Sequence, residues 1–349
     1  MAESFRKILV IQTAFIGDAI LTLPLLQSLK VHYPESSIDV IVVPRTAEIF
    51  AHHPAIGQII QYDKRGNDRG LKGLWRLRNK LIGQKYDLVI VPHRSLRSAF
   101  LTWLLKPTMS IGFDKSAGHW LFKKTVRYNS LAHEIERNLS LLSPLKLPEV
   151  GTGLPRLYPS KEDVQIIDSI VAENGLNRYK NIVAVAPGTI WNTKRWPSDR
   201  FAAVCRHIAS ENVAIVLVGG GEDTELCKEV LEASQAKNVF SVAGKLSLLQ
   251  SAELIRRCTV LISNDSAPMH IAVAVGTPVV AIFGATIPEY GFAPRGPFDI
   301  VLEMKGLPCR PCSIHGGTTC PIKTFDCMLS IAPEIVVKNV RLFLRNETV

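Results

Sequence analysis

The sequence predicts an α/β protein built from two doubly wound domains. Two observations carry that expectation. Short, apolar, β-branched runs alternate with stretches long enough for a helix, which is the pattern of a parallel sheet covered on both faces. The alternation then starts again after Ser143–Pro159, a stretch with prolines at 144, 148, 155 and 159 that reads as a linker.

In the first half, Lys7–Gln12 is a strand and Asp18–Val31 a helix, in which Pro24 implies a kink or local break. Ile38–Val43 and Tyr86–Val91 are further strands. In the second half, Ile182–Ala186 is a strand and Pro197–Ser210 a helix. Ala214–Val218 is a strand that runs into Gly219-Gly220-Gly221, with a helix from about Asp223, and Asn238–Val242 is the next strand. Thr259–Ser263 is a strand, Ile271–Val275 a short helix stopped by Gly276-Thr277-Pro278, and Val279–Phe283 another buried strand. Ala332–Arg345 closes the chain as an amphipathic helix. The expected domains are 1–150 and 160–331, with a cleft between them and a closing segment 332–349.

A chain of 349 residues, 47% of them apolar, suits two such cores. It holds no run of eighteen apolar residues, so no transmembrane helix is expected. The start, Met1-Ala-Glu-Ser-Phe-Arg-Lys7, lacks the apolar core and cleavage site of a signal peptide, which points to the cytoplasm. The net charge of +10 calls for an acidic partner: nucleic acid, an anionic membrane or a phosphorylated substrate. Much of that charge lies in Lys64–Lys85, where Lys64, Arg65, Arg69, Lys72, Arg76, Arg78, Lys80 and Lys85 face only Asp68. Leu71, Leu74, Leu77 and Leu81 recur there at helical spacing beside Trp75. Such a basic amphipathic helix is commonly a solvated surface helix; its functional reading is contact with phosphates at a membrane surface.

Ligands of doubly wound sheets bind at the carboxyl ends of the strands, so four loops there are candidates. Thr13-Ala-Phe-Ile-Gly-Asp18 closes the first strand. Asp18 is either an N-cap or a general base for a hydroxyl nucleophile. The loop lacks the G-x-G-x-x-G of a dinucleotide site. In Pro187–Pro197, Gly188 and Thr189 offer a backbone N–H and a hydroxyl, and Lys194 and Arg195 bring positive charge. Trp191 and Trp196 either pack the domain or share that ligand face. In Gly219–Glu225 the glycines let a ligand approach, and Glu222 either accepts ribose hydroxyls or simply suits a helix start. Ser263–His270 reads Ser-Asn-Asp-Ser-Ala-Pro-Met-His, with Asp265 or Ser266 as N-cap and Pro268 in the first turn. A helix start has unpaired N–H groups and the positive end of the dipole, so it suits phosphate.

Gly17-Asp18, Lys194-Arg195-Trp196-Pro197 and Ser263-Asn-Asp-Ser-x-x-Met-His270, in this order, resemble glycosyltransferase family 9, the ADP-heptose:lipopolysaccharide heptosyltransferases. The resemblance covers nearly the whole chain. The Ser-Asn-Asp-Ser form and the stretch Pro92-His-Arg94-Ser-Leu-Arg97-Ser-Ala are more similar to the type II enzymes than to type I. The resemblance implies the GT-B fold, two Rossmann-like domains with acceptor on the first and nucleotide-sugar on the second, and a last helix that may cross back to the first. It implies an inverting transfer of heptose from ADP-heptose to the lipopolysaccharide inner core by a cytoplasmic enzyme peripheral to the inner membrane. Asp18 then matches the catalytic base and Lys194 the diphosphate-contacting lysine. Asp265, Ser266, Ala267, Met269 and His270 match the donor's phosphate segment, Thr189 a donor-contacting hydroxyl, and Glu222, with Glu225 as competitor, a ribose-binding acid. Arg94 and Arg97 face the anionic acceptor. Relatives usually carry glycine where Ala267 stands, so a left-handed backbone there would be strained. No cofactor is required.

Of seven cysteines, Cys205, Cys227 and Cys258 sit at apolar positions and read as packed thiols. Cys309-x2-Cys312-x7-Cys320-x6-Cys327 suggests thiolate ligation of a structural zinc or an iron–sulfur cluster, with free or disulfide-bonded cysteines stapling a loop as the equal alternative. Another GT-B glycosyltransferase with a different donor or core acceptor is the rival enzyme. A zinc-containing nucleic-acid-binding protein would use the same charge and cysteines, but gives no reason for Asp18, Lys194 and Asp265 to lie at strand ends; nucleic acid is therefore not expected as a partner.

Overall fold

The alternation of apolar strands and helices folds as two separate parallel sheets in a computed structural model that describes residues 4–148 and 153–345. The first unit, Met1–Tyr158, contains β1 (Lys7–Gln12), β2 (Ser37–Val42), β3 (Ile59–Gln61), β4 (Leu88–Val91), β5 (Met109–Phe113) and β6 (Lys124–Val126). Their order is β3-β2-β1-β4-β5-β6. The second unit, Pro159–Val349, contains β7 (Asn181–Ala186), β8 (Val213–Leu217), β9 (Val239–Ser241), β10 (Val260–Asn264), β11 (Val279–Phe283) and β12 (Ile300–Glu303), ordered β12-β11-β10-β7-β8-β9. The winding is the same in both. The chain leaves the middle in one direction, then returns and builds the other side. The reversal falls between β1 and β4, where Ile8 pairs with Leu88, and between β7 and β10, where Val260 pairs with Val183. Loops diverge at such a point and leave room for a ligand.

The helices are α1 (Ile16–His32), α2 (Gly70–Leu81), α3 (Leu96–Leu105), α4 (Glu134–Ser140), α5 (Lys161–Glu173), α6 (Ser198–Ile208), α7 (Thr224–Ser234), α8 (Leu248–Arg256), α9 (Ala267–Val275), α10 (Asp326–Leu329) and α11 (Pro333–Leu344). Three expectations change. α1 continues through Pro24 without interruption. The basic helix is confined to Gly70–Leu81; Lys64–Arg69 precede it in a turn whose N–H groups at Gly66 and Asn67 bond the Asp63 carboxylate at 2.9 and 3.1 Å. α9 begins at Ala267, four residues before its apolar run. The unit boundary falls between Tyr158 and Pro159, and residues 149–152 of the proline-rich segment lie outside the described residues.

The closing helix α11 belongs to the second unit. Val336, Val337 and Val340 enter the same core as Trp196, Phe201, Ile208 and Met328. Residues 346–349 of the expected closing segment lie outside the described residues. Because Val340 is fully buried, Val340→Ala should cost about 2 kcal/mol of stability in urea unfolding. An unchanged transition would show that α11 adds little to this core.

Candidate active site

In the second unit the reversal point is locked by one buried amide. Asn264, the last residue of β10, donates from Nδ2 to the Pro187 carbonyl at 2.8 Å and accepts the Trp196 N–H at Oδ1 at 3.0 Å. It thereby spans both ends of the loop after β7. Trp196 is wholly buried, and its indole N–H donates to the Ile331 carbonyl at 3.1 Å, so this tryptophan is core. The middle of the loop, Asn192–Lys194, is one tight helical turn that carries Lys194 over the sheet edge. Lys194 Nζ lies 2.6 Å from Asp265 Oδ2, and Thr286 at the end of β11 donates its hydroxyl to the same oxygen at 2.6 Å. Asp265 is therefore spent on holding the lysine rather than on capping α9.

The N-cap of α9 is Ser266, whose side chain makes no capping hydrogen bond; its hydroxyl stands 3.3 Å from that of Ser263. Pro268 has no N–H and the Met269 N–H bonds the Ser266 carbonyl at 3.2 Å, so the helix start presents the Ala267 N–H, without a side-chain cap and next to an ammonium group, which suits an anion. Ala267 is the first helical residue, and it is absent from the non-glycine positions with positive φ among the described residues, so the expected strain does not arise. Met269 is fully buried and His270 nearly so, and the Met269 side chain is core rather than lining.

Thr189 sits half-buried at the start of the same loop, and its carbonyl accepts from Arg195 at 2.8 Å. The neighbouring glycines have another reason than ligand approach. A methyl group on Gly188 would meet Asp223 Oδ1 at 2.1 Å, and one on Gly219 would meet Asp223 Cβ at 2.7 Å. Asp223 fills that space and accepts the Gly220 N–H at 3.0 Å. Glu222 is exposed in the turn before α7, and Glu225 is exposed in its first turn.

The four-cysteine segment covers this loop. Gly317 donates to Thr193 Oγ1 at 2.8 Å and accepts the Thr193 N–H at 3.0 Å. A methyl group on Gly316 would meet Lys194 Cγ at 2.9 Å, so the segment lies directly against that side chain. Arg310 ties the other end to the strand termini, donating to the carbonyls of Gly284 and Thr286 at 2.5 and 2.7 Å and to Glu303 at 2.7 Å. All seven cysteines are free thiols, and among the described residues no three His, Cys, Asp or Glu side chains form a group fit to hold a metal ion. The fold does bring the four thiols of the segment near one another: burial, then Cys312, Cys309 and Cys320, push the Cys327 thiol up to about 11 against the pull of Arg310, while the hydrogen bonds of Gly317 and Arg310 tie the segment to the strand ends.

In the first unit the loops after β1 and β4 meet in the same way. Thr13 Oγ1 is 2.9 Å from His93 Nδ1, and Lys64 Nζ donates to the Thr13 carbonyl at 2.6 Å. Arg97 donates to the Lys64 carbonyl at 3.1 Å. Burial, then Lys64 and Arg94, lower the His93 imidazole to about 4, so it is neutral near pH 7. Burial and the cations Arg65 and Arg97 also lower Lys64. Arg94 stacks its guanidinium 4.1 Å from the centre of the Tyr128 ring. Arg94 and Arg97, anticipated from sequence together with the basic stretch that begins at Lys64, are thus joined by Lys64 itself and by His93, to which the sequence assigns no role.

Asp18 is not the N-cap. That position is Phe15, and Asp18 stands three residues on, its carboxylate accepting the Phe15 N–H at 3.2 Å. α4 packs beside α1, with Asn138 Nδ2 donating to the Leu21 carbonyl at 3.1 Å. It brings Glu134, buried and paired with Arg137 at 2.9 Å, within electrostatic reach of Asp18. Burial, then the Asp18 charge, raise Glu134 to about 7, against the pull of Arg137. The order Tyr128, Glu134, Arg137 carried no signal in the sequence, because the loop that precedes α4 has no apolar period.

The sequence profile of glycosyltransferase family 9 (heptosyltransferase) matches residues 74–316. A lipooligosaccharide heptosyltransferase 2 of Haemophilus influenzae is 26% identical over 295 residues, covering 81% of this chain and 85% of the relative. A lipopolysaccharide heptosyltransferase 3 of Escherichia coli is 29% identical over 281 residues, covering 78% and 82%. The crystal structure of a family 9 glycosyltransferase from Veillonella parvula superposes with a TM-score of 0.86 at 25% identity, covering 99% of both chains.

The coupling of Asp18 to Glu134 sets the sign of one measurement. Removing the Asp18 charge in Asp18→Asn leaves burial and Arg137 in place, so the Glu134 carboxyl should titrate below its value of about 7 in carboxyl-resolved NMR. An unmoved titration would mean that the two groups do not sense each other.

Proposed function

Because the chain belongs to glycosyltransferase family 9 (heptosyltransferase), we propose that it transfers a heptose from ADP-heptose to the inner core of lipopolysaccharide, as a type II enzyme, with inversion. The observation that carries the donor side of this reading is Lys194, held by Asp265 beside the N-terminus of α9. A departing diphosphate gains charge as the sugar–oxygen bond breaks, and an ammonium group with helix-terminal amides meets that charge. On the acceptor side, Asp18 takes the proton of the attacking hydroxyl. The hydroxyl oxygen forms the new bond at the anomeric carbon from the face opposite the leaving ADP. Thr189 and Ser266 flank the diphosphate, and Glu222 reaches the ribose. Lys64, Arg94 and Arg97 meet the anionic groups of the acceptor. The nucleotide-sugar carries its own leaving group, so the step asks for no redox cofactor, and Lys194 with α9 supplies the positive field. The acceptor is a glycolipid, which places the enzyme at the cytoplasmic face of the inner membrane. No helix of the described residues is long and apolar enough to cross a membrane.

The chain is similar both to a relative named heptosyltransferase 2 and to one named heptosyltransferase 3, so the acceptor assay is decisive. Incubation with ADP-heptose and a series of defined truncated cores should add one heptose by mass to the acceptor of a type II enzyme. Asp18→Ala should slow that transfer roughly 10²–10⁴-fold while leaving ADP affinity largely intact. No mass shift on any heptose-bearing acceptor would overturn the reading, and near-normal turnover of Asp18→Ala would overturn the base.

A further inference from the structure

We propose that the outer face of α2 and α3 in the first unit docks on an anionic phospholipid bilayer. The proposal gives a partner to the glycolipid-acceptor reading above and rests on it for its purpose, but not for its evidence. Both helices pack on the same side of the sheet: Leu74, Leu77 and Leu81 of α2 and Ala99, Leu101, Leu104 and Leu105 of α3 share one core with Leu9, Ile11, Val89 and Val91. That leaves their opposite sides outward. On α2, Leu71 and Trp75, one helical turn apart, are 69% and 46% exposed. On α3, Leu96, Phe100 and Trp103 follow one another at helical spacing, with Leu96 53% and Trp103 52% exposed. Trp103 stacks on Phe100 with ring centres 5.7 Å apart. The turn His119–Leu121 lies beside them, since a methyl group on Gly118 would meet Leu96 Cδ1 at 2.7 Å and Ala99 Cβ at 3.2 Å. It carries Trp120, 70% exposed. Three tryptophans and two leucines on one flank are more apolar surface than a solvated helix pair needs.

The charge around this flank selects the occupant. Residues 64–127 hold fifteen lysines and arginines against three aspartates and no glutamate, an excess larger than the +10 of the whole chain. Arg69, Lys72, Arg76, Lys80, Lys106, Lys123 and Lys124 are all exposed. A second copy would set like charge against like, so self-association is disfavoured. A bilayer with anionic headgroups takes up both parts: tryptophan belongs at the headgroup level, leucine just beneath it, and lysine and arginine on the phosphates. The flank also adjoins the acceptor cations directly. Leu96 is next in sequence to Arg97, which bonds the Lys64 carbonyl, and Lys64 precedes α2. A glycolipid could keep its acyl chains in the bilayer while its sugars reach Asp18.

The test is co-sedimentation of the full chain with vesicles, in the absence of ADP and acceptor. The chain should bind vesicles of mixed phosphatidylglycerol and phosphatidylcholine, release at high salt, and ignore pure phosphatidylcholine. Trp75→Ser/Trp103→Ser/Trp120→Ser and Lys72→Glu/Arg76→Glu should each weaken binding by roughly tenfold or more. The blue shift of tryptophan emission on binding should vanish in the triple variant. Circular dichroism checks that both variants fold, and both should transfer normally to a deacylated, water-soluble acceptor. Failure to bind anionic vesicles, wild-type binding by both variants, a dimer broken by the tryptophan substitutions, or tighter binding to an oligonucleotide than to vesicles would each overturn the proposal. A chain that binds vesicles yet transfers no heptose would sink the function proposed above and leave this face standing.

Discussion

The second unit depends on the buried amide of Asn264. A parallel sheet brings the ends of β7 and β10 side by side, but it does not say where the eleven-residue loop between β7 and α6 will lie. Asn264 decides that by bonding the Pro187 carbonyl at one end and the Trp196 N–H at the other. Each of those groups is buried, and each would cost about 1–3 kcal/mol if left unpaired. Trp196 adds the anchor below, in the core that α11 completes. With both ends fixed, Lys194 has a short tether and an ion-pair partner, Asp265, at 2.6 Å. A flexible lysine would lose rotamer freedom on meeting a diphosphate; here the fold has already removed much of it.

The first unit solves a different problem with the same winding. Its strand-end loops gather cations around a neutral histidine, and a buried acid, Glu134, shares its field with Asp18. Burial and the Asp18 charge raise Glu134, so the α1–α4 pair sets a second acid in the field of the proposed base. The two units thus divide the labour by charge. In the proposed reaction one offers Lys194 and the start of α9 to a leaving diphosphate, and the other offers Asp18 as the base.

Much of this was legible in the sequence where local chemistry is strong. The strands Lys7–Gln12, apolar from Ile8 to Ile11, and Val279–Phe283, apolar throughout, stand where they were read. Lys194, Asp265 and Ser266 do come together, because they end adjacent strands of one sheet. What escaped was decided by partners distant in sequence. β5 contains Ser110 and Gly112 and looks too weak for a strand, yet the Phe122 ring occupies the place a side chain at 112 would need, 2.3 Å from its first carbon. β3 and β6 are three-residue edge strands with exposed residues, below the length at which a period shows. Gly188 reads as a backbone donor and Gly219 as an opening for a ligand, yet both also make room for Asp223. The cysteine spacing marks a loop whose thiols come near one another, but it does not encode the Arg310 and Thr193–Gly317 hydrogen bonds that tie that loop to the strand ends.

The central claim is that the start of α9 and Lys194 receive the diphosphate of the donor. A crystal structure of the chain with ADP tests it most directly. The account predicts diphosphate oxygens within hydrogen-bond distance, about 2.7–3.2 Å, of Lys194 Nζ and of the Ala267 N–H at the start of α9. A diphosphate bound among Lys64, Arg94 and Arg97, or anywhere that leaves Lys194 paired with Asp265 alone, would contradict it.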